Sequence, residues 1–218
     1  MGDADAAAFE VRPLDTTTWD AFVALCDRHG GGGFGGCYCT WFHRETHSSA
    51  GSGPERTAES TREYKHDLVT AGRSHAALVF DGDRAIGWAQ FGSPDELPGI
   101  YHRAQYLATA TSLPDYRITC VFVDRAYRGR GVARVAIAGA LELIGAAGGG
   151  VVESYPRETD KRISPSFLYS MTRQVFEDAG FEYDRPKGTV NCVMRTVVPA
   201  VPAVPNGGSA PRRADRRP

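Results

Sequence analysis

The segment Val121–Ala133, with the sequence VFVDRAYRGRGVA, constrains the fold more than any other part of the chain. It begins with β-branched and aromatic residues that predict a strand. The residues from Val132 onwards have the composition of a helix, and two glycines, Gly129 and Gly131, lie in the turn between strand and helix. A hydrophobic strand that leads through a tight glycine turn into a helix is typical of an α/β protein.

The same turn has the features of an anion site. A helix that begins there presents backbone N–H groups without partners inside the helix, and its dipole adds partial positive charge. A pyrophosphate fits such a site, and Gly129 and Gly131 let the backbone approach it closely. Arg128 and Arg130 add charge that binds phosphate. The alternative is a plain strand-to-helix turn with glycines for tightness, and Gly-x-Gly by itself would favour it. The third glycine of a Rossmann site and the Lys-Ser/Thr of a P-loop are missing here.

The remaining periodicities alternate between strands and helices, which predicts an α/β sheet of mixed direction. Thr18 is the expected N-cap of a first helix, and Gly82-Asp83 is the expected turn of an antiparallel hairpin. Gly180 is expected to end the last helix. The predicted strands are residues 8–13, 75–81, 84–91, 117–123, 151–155, 181–183 and 191–197, and the other predicted helices are residues 55–73, 132–146 and 166–179.

Composition indicates one soluble domain with a tail. Hydrophobic residues make up 42% and charged residues 23% of the 218 residues, and no run of about 18 apolar residues could span a membrane. The N-terminus is acidic where a secretory signal would be basic. The five cysteines are an odd number, and without an export signal we expect reduced thiols in the cytoplasm.

The domain is predicted to cover residues 1–198, and residues 199–218 are predicted to form a disordered Pro/Arg-rich tail. Four arginines in this tail could contact nucleic acid or acidic lipid, but solubilising ends of this kind are more common, so we expect neither a nucleic-acid nor a membrane partner. The four are Arg212, Arg213, Arg216 and Arg217.

The residues from Arg128 to Ala133 fit the Arg/Gln-x-x-Gly-x-Gly/Ala signature, and the chain resembles the GNAT (Gly-x-Gly motif) N-acetyltransferase superfamily. Residues 121–124 resemble the fourth strand of that family, residues 151–156 its fifth strand, and Phe176–Phe181 the end of its fourth helix. The order of elements from residue 8 to residue 197 is similar as well. The resemblance implies a mixed, mostly antiparallel central sheet with splayed fourth and fifth strands flanked by helices.

The resemblance also implies that acetyl-CoA binds as co-substrate. Its pantetheine arm would lie along the backbone of Val121–Val123, and the N–H of Phe122 or Val123 would donate to the acyl carbonyl. Its pyrophosphate would contact the N–H groups of Arg128, Gly129, Arg130, Gly131, Val132 and Ala133. Homodimers are frequent among relatives and are a further option for this chain.

Direct transfer to an amine needs a base and an acid near the thioester. Many relatives supply the acid as a Tyr at the position of Phe176 in this chain. Tyr169, two turns earlier on the predicted helix, is the substitute candidate, although a packed core tyrosine is the alternative. Glu153 in the fifth strand is the candidate base, or else a salt-bridge partner of an arginine. Cys120 would support a route through an acyl-cysteine, but a buried strand cysteine is usually inert.

The segment between the first two predicted helices contains Cys37, Cys39, His43 and His47. A Cys-x-Cys pair binds zinc awkwardly, so we expect no metal. In the family this segment borders the acceptor pocket, which makes aromatic residues there candidates for substrate binding; the alternative is that they complete the core. These candidates are Phe34, Tyr38 and Trp41, with Phe42 beside them.

The leading hypothesis is therefore an N-acetyltransferase that moves an acetyl group from acetyl-CoA directly to a primary amine of a small molecule or a protein. The second hypothesis is a GNAT-fold module that binds CoA but is catalytically weak or inactive and acts in regulation, and Phe176 is its best support. The identity of the acceptor does not follow from the residues.

Overall fold

The computed structural model describes residues 9–31, 37–44, 57–158 and 169–201. In these ranges the helices are Trp19–Asp27 (α1), Ala58–Thr70 (α2), Arg103–Thr109 (α3), Val132–Ala146 (α4) and Arg173–Glu177 (α5), with single 3₁₀ turns at Trp41–His43 and Arg125–Tyr127. The strands are Glu10–Pro13 (β1), His75–Asp81 (β2), Arg84–Gly92 (β3), Tyr116–Val123 (β4), Gly150–Ser154 (β5), Glu182–Lys187 (β6) and Asn191–Val198 (β7).

The seven strands form one sheet in the order β1-β2-β3-β4-β5-β7-β6. Every neighbouring pair is antiparallel except β4 and β5, which run parallel. The parallel pairing covers only the registers of Tyr116, Arg117 and Ile118 with β5. Beyond Ile118 the two strands have no common register, so the second half of β4 pairs with β3 alone. The predicted mixed, mostly antiparallel sheet is confirmed.

Helices cover both faces of the sheet. One face packs against α4, whose buried residues Ala136, Ile137, Ala140 and Ile144 follow helical spacing. The other face packs against α1 and the turn at residues 38–39 in a second cluster around Trp88. Because β4 is central in the sheet, its side chains alternate between these two layers.

Most of the predicted elements are present, and α4 has the predicted bounds. Two differences matter. Helix α3 was not predicted, and the predicted helix over residues 166–179 is wrong within the described range, since α5 begins only at Arg173 and Tyr169 lies in a turn. Residues 159–168, including Ser166, lie outside the described residues.

The C-terminal end of the domain extends slightly past its predicted boundary. The N–H of Val201 donates to the carbonyl of Gly145 over 2.9 Å, so the chain contacts α4 three residues beyond residue 198. The four tail arginines fall in residues 202–218, which the structure does not describe. None of the helices in the described ranges has the length and apolar character needed to cross a membrane.

Helix α4 approaches the sheet closely at Gly139. A Cβ placed on Gly139 would lie 2.5 Å from Cγ1 of Val11 in β1. We predict that Gly139→Ala lowers the free energy of unfolding by about 1–3 kcal/mol through overpacking, although alanine is the better helix former. Chemical denaturation measures this. The double variant Gly139→Ala/Val11→Ala should be more stable than Gly139→Ala; equal or lower stability would contradict the packing argument.

Candidate active site

A cavity of about 680 Å³ runs along the second half of β4, from the start of α4 to the turns on the other face of the sheet. It exists because β4 and β5 diverge after three paired residues. Its described lining includes the turn and first residues of α4 (Arg128, Gly129, Gly131, Val132, Ala133 and Arg134), β4 residues 120–123, and the side chains of His29, Cys37, Cys39, Trp41, Phe42, Trp88, Tyr101 and Tyr169.

One end of the cavity is the turn that begins α4. Gly129 and Gly131 have φ angles of 77° and 81°, a conformation that favours glycine. The carbonyl of Gly131 accepts from the N–H groups of Arg134 and Val135, so the earlier N–H groups of Val132 and Ala133 precede the hydrogen-bonded part of the helix. This end therefore offers backbone donors, the positive end of the helix dipole and Arg128 on one wall.

Of the two arginines in the turn, only Arg128 is part of the described lining. The guanidinium of Arg130 lies over the ring of Tyr127, at 5.0 Å from its centroid, and over that of Phe9, at 5.5 Å. The prediction that both arginines bracket the anion site is therefore corrected. Arg130 packs the turn against aromatic rings, while Arg128 is placed to meet a ligand.

Asp124 fixes the start of this turn. It is 3% exposed, and its carboxylate accepts from the N–H of Ala126 and from the guanidinium of Arg84. Burial by itself would raise the pKa of Asp124, but these donors and His29 hold it below its usual value. His29 lies 3.3 Å from the carboxylate, and its own pKa is lowered, mainly by burial. The wall therefore carries a neutral imidazole at neutral pH.

The direction of each N–H along β4 follows from its partners. Asp124 donates to Ile86 in β3, while Val121 donates to the carbonyl of Tyr169 over 2.8 Å on the opposite side. Because directions alternate along a strand, Phe122 faces β3 and Val123 faces the gap left by β5. The prediction of Phe122 as an acyl-carbonyl donor is thus wrong. The N–H of Val123 faces the gap and has the direction needed to donate to an acyl carbonyl. The N–H of Val121 already donates to the carbonyl of Tyr169.

The other end of the cavity is aromatic. Trp41 stacks on Tyr101 with centroids 5.8 Å apart, and Phe42 lies 6.1 Å from the ring of Tyr169. The hydroxyls of Tyr101 and Tyr169 share a hydrogen bond, and burial raises the pKa of Tyr169 well above its usual value. Tyr169 therefore keeps its proton at neutral pH, and its side chain lies at the cavity wall beside Tyr101.

Of the predicted substrate-binding residues, Trp41 lines the cavity and Tyr38 does not. Tyr38 is 5% exposed and packs in the core beside α1, where its hydroxyl donates to Asp27 over 2.7 Å. That bond and the burial raise its pKa to about 12. The alternative role, completion of the core, is therefore the one observed for Tyr38. Phe34 lies outside the described residues.

Comparison with known proteins decides the family. The sequence model of the acetyltransferase (GNAT) family matches residues 39–161, which is more than half of the chain. The chain belongs to the GNAT acetyltransferase family. No curated protein sequence matches it.

Solved structures of GNAT proteins share the fold. A protein described as an acetyltransferase of the GNAT family from Desulfovibrio desulfuricans is 16% identical, with 88% of this chain and 99% of that chain covered and a TM-score of 0.50. A protein described as histone acetyltransferase HPA2 and related acetyltransferase from Corynebacterium glutamicum is 17% identical, with 90% and 99% covered and a TM-score of 0.50. At these identities the likeness concerns the fold alone.

Within this GNAT fold, Phe176, which occupies the position of the family's acid, and the substitute candidate Tyr169 lie in different environments. Phe176 is 1% exposed and packs edge-on against Phe181 in the core. Tyr169 reaches the cavity from the turn before α5 rather than from a helix. The substitute tyrosine predicted from the sequence is therefore at the cavity wall, held there by the bond between its carbonyl and Val121.

Glu153, the predicted base, is not among the residues that line the cavity of this GNAT chain. Its side chain is fully buried, and Oε2 accepts from the hydroxyls of Tyr106 and Tyr155 over 2.6 and 3.0 Å. Its Oε1 lies 3.3 Å from Nε of Arg195 and 3.8 Å from Arg185. The salt-bridge alternative matches this geometry, and the prediction of a base facing the thioester does not.

In the predicted Cys/His segment of the GNAT chain, Cys37 and Cys39 line the cavity and His43 does not. In the ranges that the structure describes, no group of three or more His, Cys, Asp or Glu side chains is placed to hold a metal ion. His47 is outside those ranges. The ring of His43 bonds to the carbonyl of Glu96 through Nδ1, over 2.9 Å, and to the hydroxyl of Ser74 through Nε2, over 3.0 Å.

The cavity residues of the GNAT site that were not predicted include His29, Trp88 and Tyr101. His29 ends the turn after α1, and Tyr101 precedes a helix that has no clear sequence signal. Trp88 could have been found, because alternation along β3 places it on the same face as Gln90, opposite β4 residues 120 and 122.

We predict that Glu153→Gln lowers the free energy of unfolding by about 3 kcal/mol, because it removes a fully buried carboxylate that pairs with Arg195, while Arg185 keeps Asp184 as a partner. Acetyl-CoA affinity should stay unchanged, since Glu153 lies off the cavity. Denaturant unfolding and calorimetry measure the two quantities. Glu158→Gln, which removes an exposed partner of Arg173, is the matched control and should have little effect on stability. If Glu153→Gln lost turnover but kept the stability of the wild type, Glu153 would again be the candidate base.

Proposed function

We propose that this chain transfers the acetyl group of acetyl-CoA to a primary amine of a small molecule or a protein. The observation that carries the proposal is the continuity of one cavity from the start of α4, along the open side of β4, to an aromatic end. Such a cavity has a place for each part of the co-substrate: phosphates at the helix start, the pantetheine arm beside Val123 and the acyl group near Tyr169.

The charges of the cavity support the same assignment. The charged side chains in its described lining are the arginines at positions 125, 128 and 134, together with the titratable His29, and no Asp or Glu lies among the described lining residues. The cations are grouped at the α4 end, where the phosphates of CoA would lie. The acceptor end is neutral and aromatic, which favours an amine with an apolar or aromatic body.

Direct attack of the amine on the thioester is the simplest route. Tyr169 is the proposed acid: it holds its proton until the CoA sulfur becomes negative as it leaves. Glu153 is not in position to act as base, so proton acceptance falls to His29 or to water at the wall. The cytoplasm, where acetyl-CoA and reduced thiols are found together, is the proposed location.

The inactive CoA-binding module is the weaker proposal. Its support was the phenylalanine at position 176, and that residue is part of the core. Tyr169 supplies a hydroxyl at the cavity instead, so the missing family tyrosine does not leave the site without an acid.

Binding is the first test. Wild-type protein should bind acetyl-CoA in calorimetry, and Arg128→Ala should raise its Kd about tenfold through loss of one charge-assisted contact with phosphate. Arg130→Ala is the matched control and should leave the Kd nearly unchanged, because Arg130 packs on Tyr127. Absence of acetyl-CoA binding by the wild type would refute the proposed function. Equal losses in both variants would refute the assigned roles of the two arginines.

Turnover is the second test. Release of CoA from acetyl-CoA should be stimulated by at least one amine in a panel of aromatic, aliphatic and polycationic amines. Tyr169→Phe should lower kcat about 100-fold and leave the Kd for acetyl-CoA unchanged, as expected for loss of a general acid. Tyr183→Phe, at an exposed position in β6, is the control. Binding without turnover for any amine would favour the CoA-binding module, and an undiminished kcat in Tyr169→Phe would exclude Tyr169 as the acid.

A further inference from the structure

Two rings of the acceptor end, Trp41 and Phe42, lie on the single 3₁₀ turn Trp41–His43. Inside this turn the N–H of His43 donates to the carbonyl of Thr40 over 3.1 Å, and the next residue, Arg44, is already extended. A turn of three residues has too few hydrogen bonds of its own to keep a fixed position. The position of the two rings therefore depends on contacts with other elements.

The side chain of His43 ties the end of this turn to two other segments. It is buried, and it is not among the residues that line the cavity. Its Nδ1 lies 2.9 Å from the carbonyl of Glu96, in the loop after β3, and its Nε2 lies 3.0 Å from the hydroxyl of Ser74, the residue before β2. A carbonyl oxygen can only accept, so Nδ1 carries the ring proton and Nε2 is the acceptor.

Lys65 in α2 holds the turn from both sides. It is fully buried, and its Nζ lies 3.4 Å from Nε2 of His43, 3.5 Å from the carbonyl of Cys39 and 3.3 Å from Oε1 of Gln90. Cys39 and His43 flank the residues that carry the two rings, and Gln90 belongs to β3. One side chain thus connects both ends of the turn to the sheet.

These contacts persist at neutral pH. Burial and the nearby Lys65 lower the pKa of His43 to about 3, so its ring is neutral and Nε2 remains an acceptor. Burial also lowers the pKa of Lys65. A lysine nitrogen donates whether or not it is charged, so the bridge does not depend on the charge of Lys65.

The turn is also fixed on its opposite side, to the segment after β3. The carbonyl of Phe42 accepts from the N–H of Gly99 over 3.0 Å, and Trp41 stacks on Tyr101. The carbonyl of Tyr101 in turn accepts from the buried Nζ of Lys187 over 2.6 Å. The aromatic end therefore consists of two segments that are joined by the stacked rings, each held by buried side chains of other elements.

We propose that His43 is a positioning residue which, together with Lys65, fixes Trp41 and Phe42 for binding of the acceptor amine. This rests on the proposed function, which assigns the aromatic end of the cavity to the acceptor. His43 acts through the rings that follow from its turn, not on the reacting atoms, since it does not line the cavity. Its loss should weaken acceptor binding and leave acetyl-CoA binding intact, because the start of α4 lies at the other end.

The first test needs no ligand: hydrogen–deuterium exchange of the full chain, followed by peptide mass spectrometry. His43→Leu should speed exchange about tenfold in the peptide of residues 38–44 and leave α4 unchanged, as expected for local opening. His43→Gln, whose amide can replace one of the ring contacts, should restore part of the protection. His66→Leu, at an exposed position in α2, is the control and should exchange like the wild type.

Ser74→Ala covers the case in which His43→Leu fails to fold. It removes the hydroxyl beside Nε2 without changing the turn itself, and it should speed exchange in the same peptide by a smaller factor. Unchanged exchange of that peptide in the variants would overturn the proposal. Equal acceleration in α4 would also overturn it, because His43 would then contribute only to general stability.

The second test separates acceptor binding from co-substrate binding, with phenethylamine as the acceptor probe. His43→Leu should raise KM for phenethylamine about tenfold and leave the Kd for acetyl-CoA, measured by calorimetry, unchanged; His43→Gln should recover part of the loss. An unchanged KM, or an equal rise in KM and Kd, would overturn the proposal. A wild type that acetylates no amine would refute the proposed function instead, and the exchange measurement would still decide whether His43 fixes the turn.

Discussion

The short parallel pairing of β4 with β5 is the constraint on which the site depends. After Ile118 the two strands separate, and the N–H groups of Val121 and Val123 face a gap instead of a neighbouring strand. Buried backbone donors need partners. The chain satisfies one of them by placing the carbonyl of Tyr169 on Val121, which also sets the tyrosine hydroxyl beside the cavity. The second donor remains directed at the space where an acyl group would lie.

The two ends of the cavity differ because different layers of the fold build them. The start of α4 supplies helix N–H groups and Arg128 at one end, while residues 37–42, Trp88 and Tyr101 supply thiols and aromatic rings at the other. β4 connects the two because its side chains alternate between the layers. One strand therefore aligns an anion site with a neutral pocket, which a bound acyl-CoA would need at its two ends.

Sequence patterns predicted those features that arise from local structure. The glycine turn before α4 and the bounds of α4 follow from periodicity and from the conformations that glycine allows. Local patterns could not decide the roles of Glu153 and Tyr38. Glu153 is held off the cavity by Arg195, which is distant in sequence, and Tyr38 is held in the core by Asp27 of another element. Tyr169 was predicted to lie in a helix, but it reaches the cavity wall from a turn, which is a matter of tertiary packing.

Lys65 shows where a sequence signal existed and was missed. Helical spacing places it on the same stripe as Thr61 and Leu68, both buried, so a charged residue on an apolar face was visible before the structure. Its surroundings explain why it is tolerated there. The Nζ of Lys65 lies 3.3 Å from Oε1 of Gln90 in β3 and 3.5 Å from the carbonyl of Cys39, and burial lowers its pKa. These acceptors belong to a strand and a turn outside α2, so the helical pattern shows that the lysine is buried but not what it contacts.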